Sequence, residues 1–299
     1  MSEARDMATY WAYRAGAVAA QSLPAPVATT MARGIGRTLS LAMPTRRRMS
    51  ARHLRRASGG TLSGLPLERA VSGAFDSYAK YWVEMFRLPN LDANTIGRHL
   101  TVDGYEHVEA ALAAGNGAIF ALPHLGGWEY AGAWMHAVKH QELLVVVEPL
   151  EPRKLFDWFV DVRRSLGMEV VAASDDAASR ALGALRDNRI VCLVSDRDLV
   201  GDGVSVEFFG ETTTLPAGPA VLALRAKAPI LPVAAYFRGR DQHVAVVRPP
   251  IDATRAGKLR QDVARITQSL AHEFEGLIAS APEQWHLMQP NWPSDGKVR

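Results

Sequence analysis

One cysteine, Cys192, is all that this chain of 299 residues contains. Intrachain disulfides are excluded. Because Cys192 sits inside the apolar run Ile190-Val191-Cys192-Leu193-Val194, it reads as a buried structural thiol in a reducing compartment. Long apolar runs are missing too. No stretch reaches eighteen residues, and the N-terminus has no basic start, apolar core and small-residue cleavage site in signal-peptide order. The expectation is a protein that is neither secreted nor membrane-spanning.

Negative charge is absent from one whole segment. Between Asp6 and Glu68 there is no acid, while Arg14, Arg33, Arg37, Arg46, Arg47, Arg48, Arg52, Arg55 and Arg56 all fall there. The formal net charge is only +3, so the remainder of the chain is net negative. A basic segment can face nucleic acid, anionic lipid or water. Here the arginines interleave with Tyr10, Trp11, Tyr13, Leu39, Leu41, Met43 and Leu54 at amphipathic helical spacing, which favours an anionic membrane surface over nucleic acid, with an ordinary solvated face as the bland alternative.

Several catalytic signatures are also missing. The chain has no G-x-S-x-G elbow, no G-x-x-x-x-G-K-[ST] phosphate loop, no G-x-G-x-x-G after a strand, no H-E-x-x-H and no C-x-x-C. Serine-elbow hydrolysis, nucleotide hydrolysis, zinc proteolysis and nicotinamide chemistry lose their usual support. His136 and His140 are four apart on one prospective helix face, but no third ligand stands nearby, so no metal is expected.

What is present has a regular order. Residues 8–57 read as helical, broken at Pro24, Pro26 and Pro44, and Ser58-Gly59-Gly60 reads as a linker. Two units follow from this: a basic amphipathic helical arm over 1–57, packed on the rest, and a main unit over 58–299. From Pro66 to Arg87, apolar and aromatic residues recur at three and four, predicting a buried helix. Beyond Leu91, short apolar runs at 117–122, 143–147, 168–172, 189–195, 204–209, 230–237 and 243–248 alternate with helical patterns near 104–113, 126–139, 151–167, 175–187, 216–227 and 258–280. The fold class is α/β, a central mixed, partly parallel sheet flanked by helices, with ligands bound beyond the carboxyl ends of strands.

At one such end stands Leu122-Pro123-His124-Leu125-Gly126-Gly127-Trp128-Glu129. On one continuous helix, residues five apart lie about 140° round the axis, so His124 and Glu129 meet only if the chain turns between them. A strand ending near Leu122 and a helix starting near Gly126 would return the Glu129 carboxylate to the imidazole, fix its tautomer and leave a general base. The N–H groups of Gly126 and Gly127 are then candidates for an oxyanion site. Asp196-Arg197-Asp198 follows another apolar run in the same way.

With these residues in view, the chain resembles the bacterial lysophospholipid-type acyltransferases that carry a His-x4-Asp/Glu motif, within the branch that holds the lipid A late acyltransferases. His124 to Glu129 matches the motif. Further blocks agree in order: Glu148-Pro149, Arg163 to Val170, Asp196-Arg197-Asp198-Leu199, Thr214 to Ala220, Ala228 to Val233, and the tail Gln284-Trp285-His286-Leu287-Met288-Gln289-Pro290. The resemblance implies transfer of a fatty acyl group, typically palmitoyl, from acyl-CoA as co-substrate to a mannose hydroxyl of phosphatidylinositol mannosides. It implies a peripheral enzyme on the cytoplasmic face of the membrane, with no cofactor and no obligate protein partner. His124, Glu129 and Asp198 would be catalytic, with Asp198 assisting Glu129. Glu148, Arg163, Asp196 and Arg197 would bind substrate, the arginines holding phosphate. The apolar Leu215 to Ala220 block would build a wall of the acyl groove. Another lipid acceptor, such as a lysophospholipid or a lipid A-like saccharide, and a non-catalytic lipid-binding protein of the same fold, remain open alternatives.

Overall fold

The computed structural model describes residues 2–174, 176–198 and 201–296; Leu199, quoted above, lies outside them. Three helices come first: α1 (Ser2–Ser22), α2 (Ala25–Ala42) and α3 (Pro44–Ala57). Pro24 precedes α2, and Pro44 opens α3, where a missing N–H leaves no bond unmade. They pack on α4 (Gly64–Arg87), which buries Val71, Phe75, Tyr81, Met85 and Phe86 along the expected stripe. Leu54 of α3 joins Val71 and Phe75 in one apolar cluster, and Tyr13 of α1 sets its ring edge-on to Trp82.

The α/β alternation follows: α5 (Ala93–Arg98), β1 (Leu100–Asp103), α6 (Tyr105–Ala113), β2 (Ala118–Leu122), α7 (Trp128–Ala137), β3 (Leu143–Val147), α8 (Arg153–Ser165), β4 (Met168–Ala172), α9 (Ala177–Arg186), β5 (Ile190–Val194), β6 (Val204–Phe208), β7 (Glu211–Leu215), α10 (Gly218–Ala226), β8 (Ile230–Arg238), β9 (Gln242–Val247) and α11 (Leu259–Ala279). Seven strands form a mixed sheet in the order β1-β9-β8-β2-β5-β3-β4, parallel at every pairing except β8 with β9. One face packs on α9, α10 and α11 and the other on α6 and α7, so the residues of β2 are buried throughout, as a strand covered on both sides must be.

Two departures from the sequence reading have simple causes. The run at 204–209 does not join the sheet; its first five residues pair antiparallel with β7 through the two-residue turn Phe209-Gly210, both at positive φ. β7 is Glu-Thr-Thr-Thr-Leu, too polar to show as an apolar run, and β1 is only four residues long.

Candidate active site

Parallel pairing of β2 with β5 sets Leu122 opposite Val194. Two residues beyond each stand His124 and Asp196, so the register itself brings the imidazole and the carboxylate together. His124 Nδ1 lies 2.5 Å from Asp196 Oδ1, and the His124 backbone N–H donates to Oδ2 at 3.0 Å. Trp285 Nε1–H also donates to Oδ2, at 2.7 Å, and Asn291 Nδ2–H donates to the Asp196 carbonyl at 3.1 Å. Asp196 is wholly buried. Burial alone would push its carboxyl up, but the facing His124 and the N–H donors outweigh that and hold it below the ordinary carboxylate value. With Nδ1–H donating to Asp196, Nε2 is the nitrogen left to take a proton.

This corrects the expectation that Glu129 orients His124. After His124 the chain does not turn straight into a helix. Leu125 bridges Trp285 and Gly126, at φ +60, bridges Ala235, so Leu125 to Gly127 form a loop pinned between the C-terminal tail and β8 before α7 begins. That loop carries Glu129 elsewhere. Its Oε1 accepts from Arg163 Nη2 at 2.7 Å, Arg163 Nε at 3.1 Å and the Tyr81 hydroxyl at 3.1 Å, a buried ion pair tying α7 to α8 and α4. The Arg163 guanidinium, against which burial works, is held charged by Glu129, and burial beside Glu129 keeps the Tyr81 phenol protonated far above its ordinary range.

The same loop corrects the oxyanion assignment. Gly126 N–H donates to the Gln284 carbonyl at 2.9 Å and Gly127 N–H to the Ala235 carbonyl at 2.8 Å, so both are engaged in holding the loop. Asp198 likewise shapes backbone: its carboxylate accepts from the N–H groups of Gly201 and Gly203 and from the Thr214 hydroxyl, at 2.8 to 2.9 Å. Asp196, expected among the substrate-binding residues, is the imidazole's partner. Glu148 and Arg197 pair with each other at 2.8 Å. Leu215 and Ala220 pack in the core layer that holds α9 and α11.

Above the carboxyl ends of β2, β3 and β5 opens a cavity of about 260 Å³. His124, Glu148, Arg163, Arg197, His286 and Gln289 supply its polar lining, and Tyr78, Tyr81, Trp82 and Trp128 its aromatic wall. Trp128 and Val194 also border a small apolar void of about 40 Å³ beneath α7, next to Met135 and Met168. Neither Cys192 nor Ser195 is placed as a nucleophile. Both are buried, and burial pushes the thiol up to about 12. Among the described residues, no three His, Cys, Asp or Glu side chains gather to hold a metal ion.

Trp285, Tyr81 and the contact of Ser77 Oγ with His286 Nε2 at 2.9 Å escape sequence reasoning because nothing local links them to His124. Asp196 had a signal: it follows its buried strand by the same two residues as His124.

The sequence matches the family described as bacterial lipid A biosynthesis acyltransferase over residues 2–294. It is 39% identical over 302 residues to the phosphatidylinositol mannoside acyltransferase of Mycobacterium tuberculosis (strain ATCC 25618 / H37Rv), covering 96% of this chain and 90% of that protein. It is 41% identical over 247 residues to the protein of the same name from Mycolicibacterium smegmatis (strain ATCC 700084 / mc(2)155), covering 82% and 79% respectively. Similarity to the lipid A biosynthesis acyltransferase of Haemophilus influenzae is 24% over 199 residues, or 65% of this chain and 60% of that one.

Proposed function

The chain belongs to the bacterial lipid A biosynthesis acyltransferase family, and on that premise we propose that it moves a fatty acyl group, palmitoyl above all, from acyl-CoA to a mannose hydroxyl of phosphatidylinositol mannosides. Acyl transfer to a lipid acceptor is the family's chemistry; the donor, the chain and the hydroxyl are our reading. The observation that carries it is the His124–Asp196 pair opening on a cavity lined by two arginines and an aromatic wall. The names of the mycobacterial relatives favour the mannoside acceptor over a lysophospholipid or a lipid A-like saccharide.

In this reading the acceptor hydroxyl gives its proton to His124 Nε2 as its oxygen attacks the thioester carbonyl carbon. Asp196 stabilises the imidazolium that forms, and the coenzyme A thiolate leaves and takes the proton back from Nε2. A thioester carries a good leaving group, so no metal and no covalent acyl-enzyme is needed. Arg163 and Arg197 offer guanidinium groups to donor or acceptor phosphate. The acyl chain lies in the apolar layer beneath α7. One water's share of liquid is about 30 Å³, so the 40 Å³ void holds barely a methylene, and the flexible Met135 and Met168 side chains must yield to admit more. The enzyme works peripherally, at the cytoplasmic face of the membrane.

The test is mass spectrometry of lipid products after incubation with palmitoyl-CoA and a panel of phosphatidylinositol mannosides, lysophospholipids and lipid A-like saccharides. A palmitoylated mannoside is the expected product. Transfer only to a lysophospholipid or a saccharide, or none from any acyl-CoA, overturns the reading.

A further inference from the structure

Charge must be stabilised on the thioester carbonyl oxygen during attack, and the two glycine N–H groups beside His124 are engaged by backbone carbonyls. The neighbour on the other side of His124 is His286. Leu125 pairs antiparallel with Trp285, which sets His286 directly opposite His124, and the His286 N–H donates to the His124 carbonyl at 2.8 Å. Opposed residues of an antiparallel pair point to one face with Cβ atoms roughly 5 Å apart. Both rings accordingly line the same cavity.

His286 Nε2 lies 2.9 Å from Ser77 Oγ, and its ring packs among Tyr78, Tyr81 and Phe237. Ser77 is itself buried, and among the described residues its hydroxyl meets no other acceptor. An O–H donor left unmade in such surroundings costs more than an unused lone pair. The hydroxyl therefore donates to Nε2, which leaves the ring proton on Nδ1. Among the described residues no hydrogen bond engages Nδ1.

We propose that His286 is a second catalytic residue of the acyl transfer set out above, a neutral imidazole whose Nδ1–H donates to the carbonyl oxygen of the acyl donor, with Ser77 fixing its tautomer. The inference rests on that reading of the reaction. As the acceptor oxygen bonds to the carbonyl carbon, the carbonyl π pair moves onto oxygen and the Nδ1–H hydrogen bond strengthens. When the intermediate collapses, the C–S bond breaks, the pair returns to the carbonyl and the thiolate takes its proton from His124. His286 neither gains nor loses a proton. Burial and the neighbouring His124 push its conjugate acid down to about 3, so it stays neutral while His124 charges.

Two variants separate donation from packing. His286→Gln reaches Ser77 but places no donor at the Nδ1 position; His286→Asn puts an amide N–H there. The full-length enzyme should lose roughly a hundredfold in kcat as His286→Gln, with KM for acyl-CoA and melting temperature near wild type, and His286→Asn should recover most of that loss. Unchanged kcat in His286→Gln, or equal losses in both variants, overturns the proposal. Nitrogen-15 NMR of the histidine rings reads the tautomer without any turnover: an Nδ1–H ring that does not titrate between pH 8 and about pH 5 is expected, and an Nε2–H ring overturns the assignment. If the wild type transfers nothing from acyl-CoA, the reaction reading fails while the NMR result still decides the tautomer.

Discussion

His124 and Asp196 stand 72 residues apart in the chain and 2.5 Å apart in the fold, joined by the in-register pairing of two parallel strands. The carboxylate makes one bond to the ring and one to the backbone N–H of the same residue, so it sets both the tautomer and the position of the base. Asp196→Asn keeps the shape but removes the charge that favours imidazolium as the proton arrives. Its turnover should fall by about 10²- to 10⁴-fold, close to the loss in His124→Ala, and the double variant should be little worse than either single one, because the pair acts as a unit. Steady-state kinetics of the three proteins checks this; a fully additive double variant would show that the two act separately.

Glu129 and Arg163 form a buried pair, with the side chains 2% and 11% exposed. Removing one partner leaves an uncompensated charge, so Glu129→Gln should destabilise by about 3–5 kcal/mol. Glu129→Gln with Arg163→Met should be milder than the sum of the singles. Urea unfolding of all four proteins provides the cycle. If Glu129→Gln loses activity with no loss of stability, Glu129 acts on the reaction more directly than the ion pair implies.

Gly126 has φ +60, and a Cβ there would sit 2.0 Å from the Ala235 carbonyl oxygen. Gly126→Ala should therefore cost about 2–5 kcal/mol through left-handed strain and overpacking. It should also displace His124, which lies two residues away. A lowered melting temperature together with lost turnover is expected; normal values for both would show that the loop can relax away from β8.

Much of the α/β order was legible because strands such as β2 and β5 are continuous apolar runs and the helices carry a stripe at three and four. The motif His124 was legible too, as the residue after a strand and a proline. Its partner was not. Which strand lies beside β2 is a matter of sheet order, and the sheet places β5 there, between β2 and β3, contrary to sequence order. Five-residue spacing pointed to Glu129, and the three-residue loop pinned to the tail and β8 removed it. The weak hairpin strand β7 and the tail contacts of Trp285 depend on tertiary pairing, which has no local period.

His53 of α3 is 1% exposed, its ring packed at a tilt against Trp285 and Trp292, with Nε2 2.8 Å from the Gln289 carbonyl. Burial pushes it down to about 4, against the opposing influence of Asp295 and Asp196 and with help from Arg56. An unfolded chain takes up this proton near pH 6.5, while the native state refuses it until near 4. Stability should thus fall as pH drops through that window, by about 3 kcal/mol from His53 at its lower end. His286, lowered for the same reason, adds to the fall. Urea midpoints measured across the window should show the slope, and His53→Phe should reduce it by about one proton; an identical slope in that variant would sink the assignment.

Among the described residues, no helix is long and apolar enough to cross a membrane, yet six of the nine large apolar side chains that are exposed cluster on α1 and α2: Trp11, Val18, Val27, Met31, Ile35 and Leu41. Val27, Met31 and Ile35 follow one another at four, as a single helix face does. The arginines expected to dock the arm are partly engaged elsewhere: Arg47 contacts Ser40 and Glu68, and Arg48 reaches Thr45 at 3.4 Å. Each basic side chain near an anionic surface contributes about 1 kcal/mol and is screened by salt. A fully buried large apolar side chain contributes about 1.5–3 kcal/mol and is not screened. Insertion of the exposed apolar side chains of α1 and α2 should therefore dominate a peripheral attachment to anionic lipid. Replacing Trp11, Met31 and Ile35 by Ser should nearly abolish sedimentation with phosphatidylinositol-containing vesicles at low and high salt alike. Replacing Arg46, Arg47 and Arg48 by Gln should weaken it less and shrink its salt dependence. The reverse order of effects would place the contact on the basic face of α3.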